Sequence, residues 1–558
     1  MKKTFLILFT VLFMFIFSSY CFADTFYVTT SDDFREALDS ADENGETDTI
    51  TLEAGMYLAS PDAFQYDEND SEEGYGITII GSGDVILDGG GASQVLDFYS
   101  SYLTDITLQN LTIQSGDANG HGGGAYIWIQ EGNINVVECS FKDNESTNDY
   151  GGGLYAWIDA CGSTINILSC DFTGNSASGL NGEGGGLYAW IDDDGYITEY
   201  YDYDGNTINI SGCYFTDNST SGSGGGLNAE AYGDINVENT SFSGNSCTDD
   251  GGGAYIYPYG EINLTNCTFT NNTTTASVSE EEGEDVGGGG AYLYPCYDEC
   301  MVTGNKFSGN SASTGGGIYL NVYEVTSITL TNNLLADNNV DYKGGGVYFV
   351  SRYVDTADII NNTITGNNVL LDTSFSYGGG LFVRCLSPDT DVSIYNNIIW
   401  GNTSYHYTDL PISDTDDIYL TDEDGPPDHN GYKSYFDLYN NLFSTLASSF
   451  FYGESVLSKG SNYNTSDPLF VSETDYHLQE GSIAIDRGDN SAPSLPSTDM
   501  DGNDRIYGGT VDMGAYEYDS IPTGDDDDDN GGGGCNTDSF LPSMLLLIAP
   551  LLFLARKK

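Results

Sequence analysis

The sequence predicts an all-β solenoid: a right-handed parallel β-helix of about eleven coils, with a capping helix before it and a small β module after it. Three observations carry that expectation. A phrase first seen at Gly122–Asn144, GGGAYIWIQEGNINVVECSFKDN, returns with Gly triplets starting at residues 122, 151, 184, 224, 251, 288, 315, 344 and 378, nine copies at periods of 27 to 40 residues. The two alternating runs inside each copy keep their lengths while the connection between them varies, which is how stacked coils behave. No copy has a helical period, so each coil is expected to be strand and turn.

Stacking the copies gives columns. In the first run Ala125, Ile127 and Ile129 alternate with Tyr126 and Trp128, a strand with one apolar face. In the second run Ile134, Val136, Cys139 and Phe141 face inward, and the offset between Val136 and Cys139 implies a bend. The Cys139 column continues through Cys170, Cys213 and Cys267, where Cys is expected as a small buried hydrophobe, and then turns to Asn305, Asn333, Asn362, Asn397 and Asn441. A second column, Asn144, Asn175, Asn218 and Asn245 continuing to Asn402, is expected to hold a left-handed turn and to bond amide to amide between coils. Gly triplets at the other corner permit positive φ and close backbone approach. At about 4.8 Å per coil the stack would run roughly 50 Å.

These motifs, GGGAY with FKDN and GGGLY with FTGN, resemble the GGA and FxxN repeats of the chlamydial polymorphic outer membrane proteins over Gly122 to Asn402. The resemblance implies the repeat architecture and no particular activity. The autotransporter barrel pattern of that family is missing at the C-terminal end.

Composition narrows the function. Asp and Glu total 85 against 15 Lys and Arg, a formal charge of −70, which excludes a nucleic-acid partner because duplex binding rests on basic side chains. The same field disfavours polyanionic glycans unless cations bridge them. Ca²⁺ is the cation expected for so many hard oxygen ligands; Asp192 and Asp194 beside the third aromatic strand are candidates, as are Asp499, Asp501 and Asp504, for which turn structure competes. The eleven Cys include no CxxC pair and the four His are scattered, so no metal framework is expected, whereas Cys296 and Cys300 in CYDEC suit a local disulfide.

In chain order, residues 1–23 read as a secretory signal, with Lys2 and Lys3 before an apolar run and a small-residue cleavage site at Ala23. Residues 24–120 hold the cap, an amphipathic helix from Ser31 to about Ala41, and first coils that look like those of pectate-lyase-like β-helices. Residues 121–450 are the repeats. Residues 451–520 contain Asp467-Pro468-Leu469-Phe470, Asp501-Gly502, Arg505 and Asp512-Met513-Gly514-Ala515-Tyr516-Glu517, and are similar to the choice-of-anchor Q domain. Residues 521–539 are an acidic, Gly-rich linker ending near Gly534 and Cys535, and 540–558 are a short apolar span with an Arg-Lys-Lys tail. Together these last two segments resemble GlyGly-CTERM and Synerg-CTERM sorting signals. That implies membrane contact before processing, a sorting protease of the rhomboid type, and delivery to the surface of a bacterium, on the outer membrane or outside the cell.

The candidate site is the outer face of the first strand. Tyr126, Trp128, Tyr155, Trp157, Tyr188 and Trp190 occupy equivalent outward positions in three consecutive coils, a platform suited to sugar rings; the columns resume at Tyr255, Tyr257, Tyr292 and Tyr294 after a break at Asn228 and Glu230. Stacked aromatics also stabilise neighbouring strands without any ligand. Gly120-His121-Gly122 repeats the GHG of polygalacturonases, but the only NTD, Asn536 to Asp538, lies in the tail and the only DD before the GHG, Asp32-Asp33, lies in the cap, so no catalytic set is assigned. Hydrolysis by two carboxylates is compatible with the composition, though no pair stands out. The expected function is a secreted, surface-anchored, non-catalytic adhesin-like or glycan-binding rod whose partner is a neutral polysaccharide or a host or cell-surface glycan. A polysaccharide lyase or glycoside hydrolase of the pectin-lyase-like fold, and a purely structural surface protein, stay open beside it.

Overall fold

The computed structural model describes residues 25–43, 46–68, 75–180, 182–192, 205–275, 286–373, 376–387, 389–406, 413–422, 433–444, 450–452, 455–464 and 466–518. The expected signal, linker and sorting tail, with Gly534 and Cys535, lie outside the described residues, as does Asp194. No helix among the described residues is long and apolar enough to cross a membrane.

Three sheets of 27, 13 and 11 strands wind through the coils as a right-handed parallel β-helix. Among the described residues the strand pairings are parallel except Thr403–His406 with Ser413–Thr415. Register is kept residue for residue: Leu154–Ile158 lies between Ala125–Glu131 and Leu187–Ile191, with Tyr155 opposite Tyr126 and Tyr188, and Trp157 opposite Trp128 and Trp190. The spacing of the coils is read directly from the inward Phe column, where successive ring centroids from Phe141 to Phe172, Phe215, Phe242, Phe269 and Phe307 stand 4.8, 4.8, 4.9, 4.6 and 4.7 Å apart. These rings are fully buried, each contributing about 2 to 3 kcal/mol by area removed from water.

The bend between the two halves of the second run is a left-handed residue, Glu138 at φ 53° and Ser169 at φ 54°. The N–H after it needs an acceptor from the next coil. Cys139 N–H donates to Cys170 Sγ at 3.5 Å, Cys170 N–H to Cys213 Sγ at 3.4 Å, Cys213 N–H to Thr240 Oγ1 at 3.3 Å, and Cys267 N–H to Asn305 Oδ1 at 2.8 Å. Along the Cys column the acceptor for this N–H is thus Sγ, Oγ1 or Oδ1 in turn, and the thiols of Cys170 and Cys213 accept hydrogen bonds as well as filling space. Cys139, Cys170, Cys213, Cys247, Cys267, Cys296, Cys300 and Cys385 are free thiols. The expected Cys296–Cys300 disulfide is thus corrected: Cys300 points into the core opposite Ile262 and Ile328, while Cys296 bridges to Tyr323 on another sheet.

The second ladder is an amide chain. Asn144 Nδ2 donates to Asn175 Oδ1 at 2.9 Å, Asn175 to Asn218 at 3.0 Å and Asn218 to Asn245 at 3.0 Å, and the chain runs on to Asn402, where Asp417 Oδ1 ends it as the last acceptor at 3.2 Å. One detail of the expectation is corrected. The left-handed residue is the one before each Asn, Asp143 at φ 51° and Asp217 at φ 53°, while the Asn itself turns its amide inward. At the opposite corner Gly151 is left-handed at φ 69°, and a Cβ on Gly152 would sit 2.3 Å from the Gly185 carbonyl oxygen, so the triplet is needed for both reasons the sequence suggested.

The cap is the helix Ser31–Glu43, which buries Phe34, Ala37, Leu38 and Ala41 on the first coil. Arg35 ties it down by donating to the carbonyls of Ala59, Asp62 and Ala63.

Within the range expected for the module, residues 451–520, the strands Phe451–Tyr452, Val456–Gly460 and Tyr463–Asn464 pair in parallel with the coil strands before them, and residues 467–518 contain no strand beyond the isolated bridges Phe470 with Leu478 and Thr498 with Asp504. Turns run back along the coil corners instead, held by left-handed Asn residues whose amides point outward: Asn332 donates to Thr498 O, Asn361 to Asp512 O, Asn396 to Asp489 O and Asn440 to Arg487 O. Arg505, buried, pairs with Glu517 at 3.0 Å and donates to Asn332 Oδ1 at 2.8 Å. Up to Tyr518 the chain is one compact unit.

Candidate functional site

The outer face of the 13-stranded sheet carries a nearly unbroken column of rings. Tyr126, Tyr155 and Tyr188 stack at 5.4 and 5.3 Å, and farther along Tyr255 and Tyr292 stack at 5.3 Å, followed by Tyr319, Tyr348, Phe382 and Tyr419 at 4.8, 4.7, 5.1 and 5.2 Å. Beside it Tyr99 stacks on Trp128 at 4.5 Å and Trp157 on Trp190 at 4.9 Å, with Trp128 and Trp157 perpendicular at 6.0 Å.

The arrangement differs from a flat exposed platform. Tyr155 and Tyr188 are only 1% and 4% exposed, because residues preceding the Gly triplets fold over them: Tyr150 stacks on Tyr188 at 4.7 Å and His121 on Tyr155 at 4.7 Å. The three Trp are half-buried, and each shares a face with a neighbouring ring. In the next coil the register partner of Trp190 is Glu230 rather than a ring. Burial raises the phenol pKa values, that of Tyr126 to about 12, so these hydroxyls stay neutral donors.

At the coil that begins with Gly224 both columns are interrupted. Asn228 stands between Tyr188 and Tyr255, and Glu230 between Trp190 and Tyr257. Glu183, the residue before the preceding triplet, comes to the same place: Asn228 Nδ2 donates to Glu183 Oε2 at 3.1 Å. Asn228 is fully buried, and its Oδ1 has no hydrogen-bond partner among the described residues. Burial pushes Glu183 up to about 7, helped by the charges of Glu230 and Asp249. Glu230 is also pushed up to about 7 by burial, against hydrogen bonds from Asn228 and Tyr188 that favour its carboxylate. Near neutrality burial therefore holds each carboxyl partly protonated.

Two coils earlier, His121 lines a cleft of about 390 Å³ with Gln94, Asp117, Asn119 and Tyr126. Its Nδ1 lies 3.4 Å from Asp149 Oδ1, and burial lowers its pKa against the pull of that carboxylate, so the ring is neutral near pH 7.

The expected Ca²⁺ ligands near the C-terminal end are turn chemistry. Asp499 Oδ1 accepts from the N–H groups of Asp501 and Asn503 at 3.0 and 2.7 Å, and Oδ2 from the Glu517 N–H at 3.0 Å. Asp501 is engaged by His477 Nε2 at 2.7 Å, and Asp504 sits in the bridge to Thr498. Among the described residues no three His, Cys, Asp or Glu side chains gather to hold a metal; Asp192 directly follows the aromatic strand Leu187–Ile191.

A family model described as "Right handed beta helix region" matches residues 200–399. The Asn228–Glu230 break lies inside that span, and the three Trp coils precede it. Among solved structures the chain is similar to the PL6 family alginate lyase AlyGC, at 10% identity and a TM-score of 0.18, covering 79% of this chain and 100% of that one. An arginine-to-alanine mutant of the same lyase is similar at 10% identity and a TM-score of 0.14, covering 82% of this chain and 99% of that one. No curated protein sequence matches.

Of the six ring residues singled out by sequence, all lie on one face and in register. The Glu183, Asn228 and Glu230 cluster was not singled out. Its signal was the interruption itself, two polar residues at successive outward positions of an otherwise aromatic strand.

Proposed function

We propose that the protein is a secreted, surface-anchored glycan-binding protein that takes neutral polysaccharide along the outer face of its 13-stranded sheet. The observation that carries this reading is the half-exposed row of Tyr99, Trp128, Trp157 and Trp190, which ends beside Glu230, the register partner of Trp190. Sugar rings offer an apolar C–H face to such an indole and hydroxyls to the acids and amide next to it. A row of partly exposed Trp is also costly on a surface that otherwise carries charge. The formal charge of −70 favours a neutral over an acidic polymer. Surface delivery rests on the sequence features of the two ends, and Ca²⁺ has no assigned site in this reading.

The test is retention of the full-length protein on insoluble neutral polysaccharides, with and without Ca²⁺. Retention should fall at least tenfold in Trp190→Ala and be unaffected by a chelator. Equal retention of wild type and variant would remove the Trp face from the account.

A further inference from the structure

We propose that the cleft beside His121 seats one sugar unit of the polysaccharide held on this face, binding it through adjacent hydroxyls. The inference rests on the glycan-binding reading and adds to it the subsite that selects the sugar. The cleft, of about 390 Å³, is lined by Gln94, Asp117, Asn119, His121 and Tyr126. It lies at the corner where two sheets meet, since Asp117 belongs to Asp117–Ala118 of the 11-stranded sheet and Tyr126 to Ala125–Glu131 of the 13-stranded sheet. Tyr126 and Trp128 are alternate residues of that second strand and share its outer face, so the cleft borders the Trp row.

The polar groups that line it are unspent. Gln94 Nε2 donates to the carbonyls of His121 and Gly122, each at 2.8 Å, which uses both of its N–H bonds and leaves Oε1 as an acceptor. Asn119 does the reverse: its Oδ1 accepts from Thr147 Oγ1 at 3.4 Å and from Asn148 Nδ2, which leaves its own Nδ2 as a donor. The exposed Asp117 carboxylate and the Tyr126 hydroxyl have no hydrogen-bond partner among the described residues. Burial pushes the Tyr126 phenol up to about 12, so it stays a donor. Two acceptors and two donors therefore line one cleft.

That set decides the class of ligand. Hydroxyls on neighbouring ring carbons each donate and accept, so a pair of them has partners for all four groups. An ammonium group only donates and would leave Tyr126 Oη and Asn119 Nδ2 unmatched. A carboxylate or phosphate only accepts, and would meet the Asp117 charge besides. Tyr126 and His121 supply ring surface for the C–H groups of a sugar. The His121 ring is fixed by its stack on Tyr155 at 4.7 Å and by Asp149 Oδ1, 3.4 Å from its Nδ1, and the backbone that carries it is tied to Gln94. The walls are thus in place before a ligand arrives, which limits the ordering cost of binding.

The experiment titrates the full-length protein with glucose, xylose, mannose and galactose by calorimetry, and measures its retention on mixed-linkage β-glucan, xylan, galactomannan and dextran alongside. A sugar that binds should be a constituent of a polymer that retains the protein. Asp117→Ala and Asn119→Ala should each weaken that sugar at least tenfold, and Tyr214→Ala, on the 27-stranded sheet, should leave it unchanged. Both replaced cleft side chains are exposed, and an unfolding curve of each variant checks that it folds. Retention on a polymer with no binding of any of the four sugars overturns the inference and leaves glycan binding standing, as does sugar affinity that survives both cleft variants. No retention of the wild type on any of the four polymers overturns the glycan-binding reading, and the inference with it.

Discussion

Replacing Asn218 by Ala tests the coil-to-coil ladder at an interior member. Its Nδ2 donates to Phe172 O at 2.9 Å and to Asn245 Oδ1 at 3.0 Å, and its Oδ1 accepts from Asn175 N–H and Asn175 Nδ2, both at 3.0 Å. Truncation removes four bonds, but two of the partners keep another: Asn245 Oδ1 still accepts from Asn218 N–H, and Asn175 Nδ2 still donates to Phe141 O. The Asn175 N–H and the Phe172 carbonyl lose their side-chain partner in a site of 0 to 1% exposure. At about 1 to 3 kcal/mol for each of these two buried groups, the expected loss is about 2 to 6 kcal/mol. The control is Asn209→Ala. Asn209 makes the same kind of amide ladder, bonding Asn166 Oδ1 at 3.0 Å, but on the half-exposed outer face where water replaces the lost partner, so about 0.5 to 1 kcal/mol is expected. Urea unfolding followed by circular dichroism, compared at equal slope, gives both values. Equal losses at the two positions would refute the argument that burial makes this ladder essential.

Other perturbations read other parts of the fold. Glu183 and Glu230 titrate near 7 in the folded chain against an ordinary 4.5, so the folded state binds more protons between those values and stability falls as pH rises through that window. With Glu230, Asp249, Tyr150 and Tyr188 around it, Glu183→Gln should flatten that slope and stabilise by about 1 to 2 kcal/mol at pH 8, discounted for partial exposure, as thermal unfolding against pH would show. His477 lies between Asp475 at 2.5 Å and Asp501 at 2.7 Å; burial opposes its charge, but the two hydrogen bonds outweigh burial and raise its pKa above 6.5. Its stabilisation is full below 6.5 and is lost as pH rises through the raised folded value, which an NMR titration of the ring should place above 6.5 and which His477→Gln should abolish. Arg505→Met should cost about 3 to 5 kcal/mol by leaving Glu517 buried without its cation, and limited proteolysis should then cut first within residues 467–518.

Much of the coil was legible because a solenoid repeats its inward residues. The Phe141 to Phe307 stack and the Asn144 to Asn402 ladder each appear as a column once the Gly triplets are aligned. The Cys139 column was legible as a position but not as chemistry, since only the stacked geometry shows that Sγ, Oγ1 and Oδ1 all accept the same N–H after the bend. The acid cluster was hidden for a different reason. Asn228 and Glu183 are 45 residues apart, across the longest connection in the repeat series, and Glu183 belongs to the variable turn rather than to either alternating run. The residues that fold over the Tyr column, His121 and Tyr150, sit in the same variable turns, which is why an exposed platform was expected where the structure has a covered one. In residues 467–518 the motifs that resemble the choice-of-anchor Q domain were legible, but not how they attach: their backbone is held by outward Asn amides of the coils, from positions 332, 361 and 440 far away in sequence.

The most direct measurement is the equilibrium affinity of the full-length protein for soluble mixed-linkage β-glucan, xylan, galactomannan and dextran, comparing wild type, Trp190→Ala and Tyr214→Ala. Tyr214 is an exposed ring on the 27-stranded sheet, away from the aromatic face. The account predicts binding to at least one polymer, at least tenfold weaker in Trp190→Ala and unchanged in Tyr214→Ala. Equal affinity of all three proteins, or binding to none of the polymers, would contradict it.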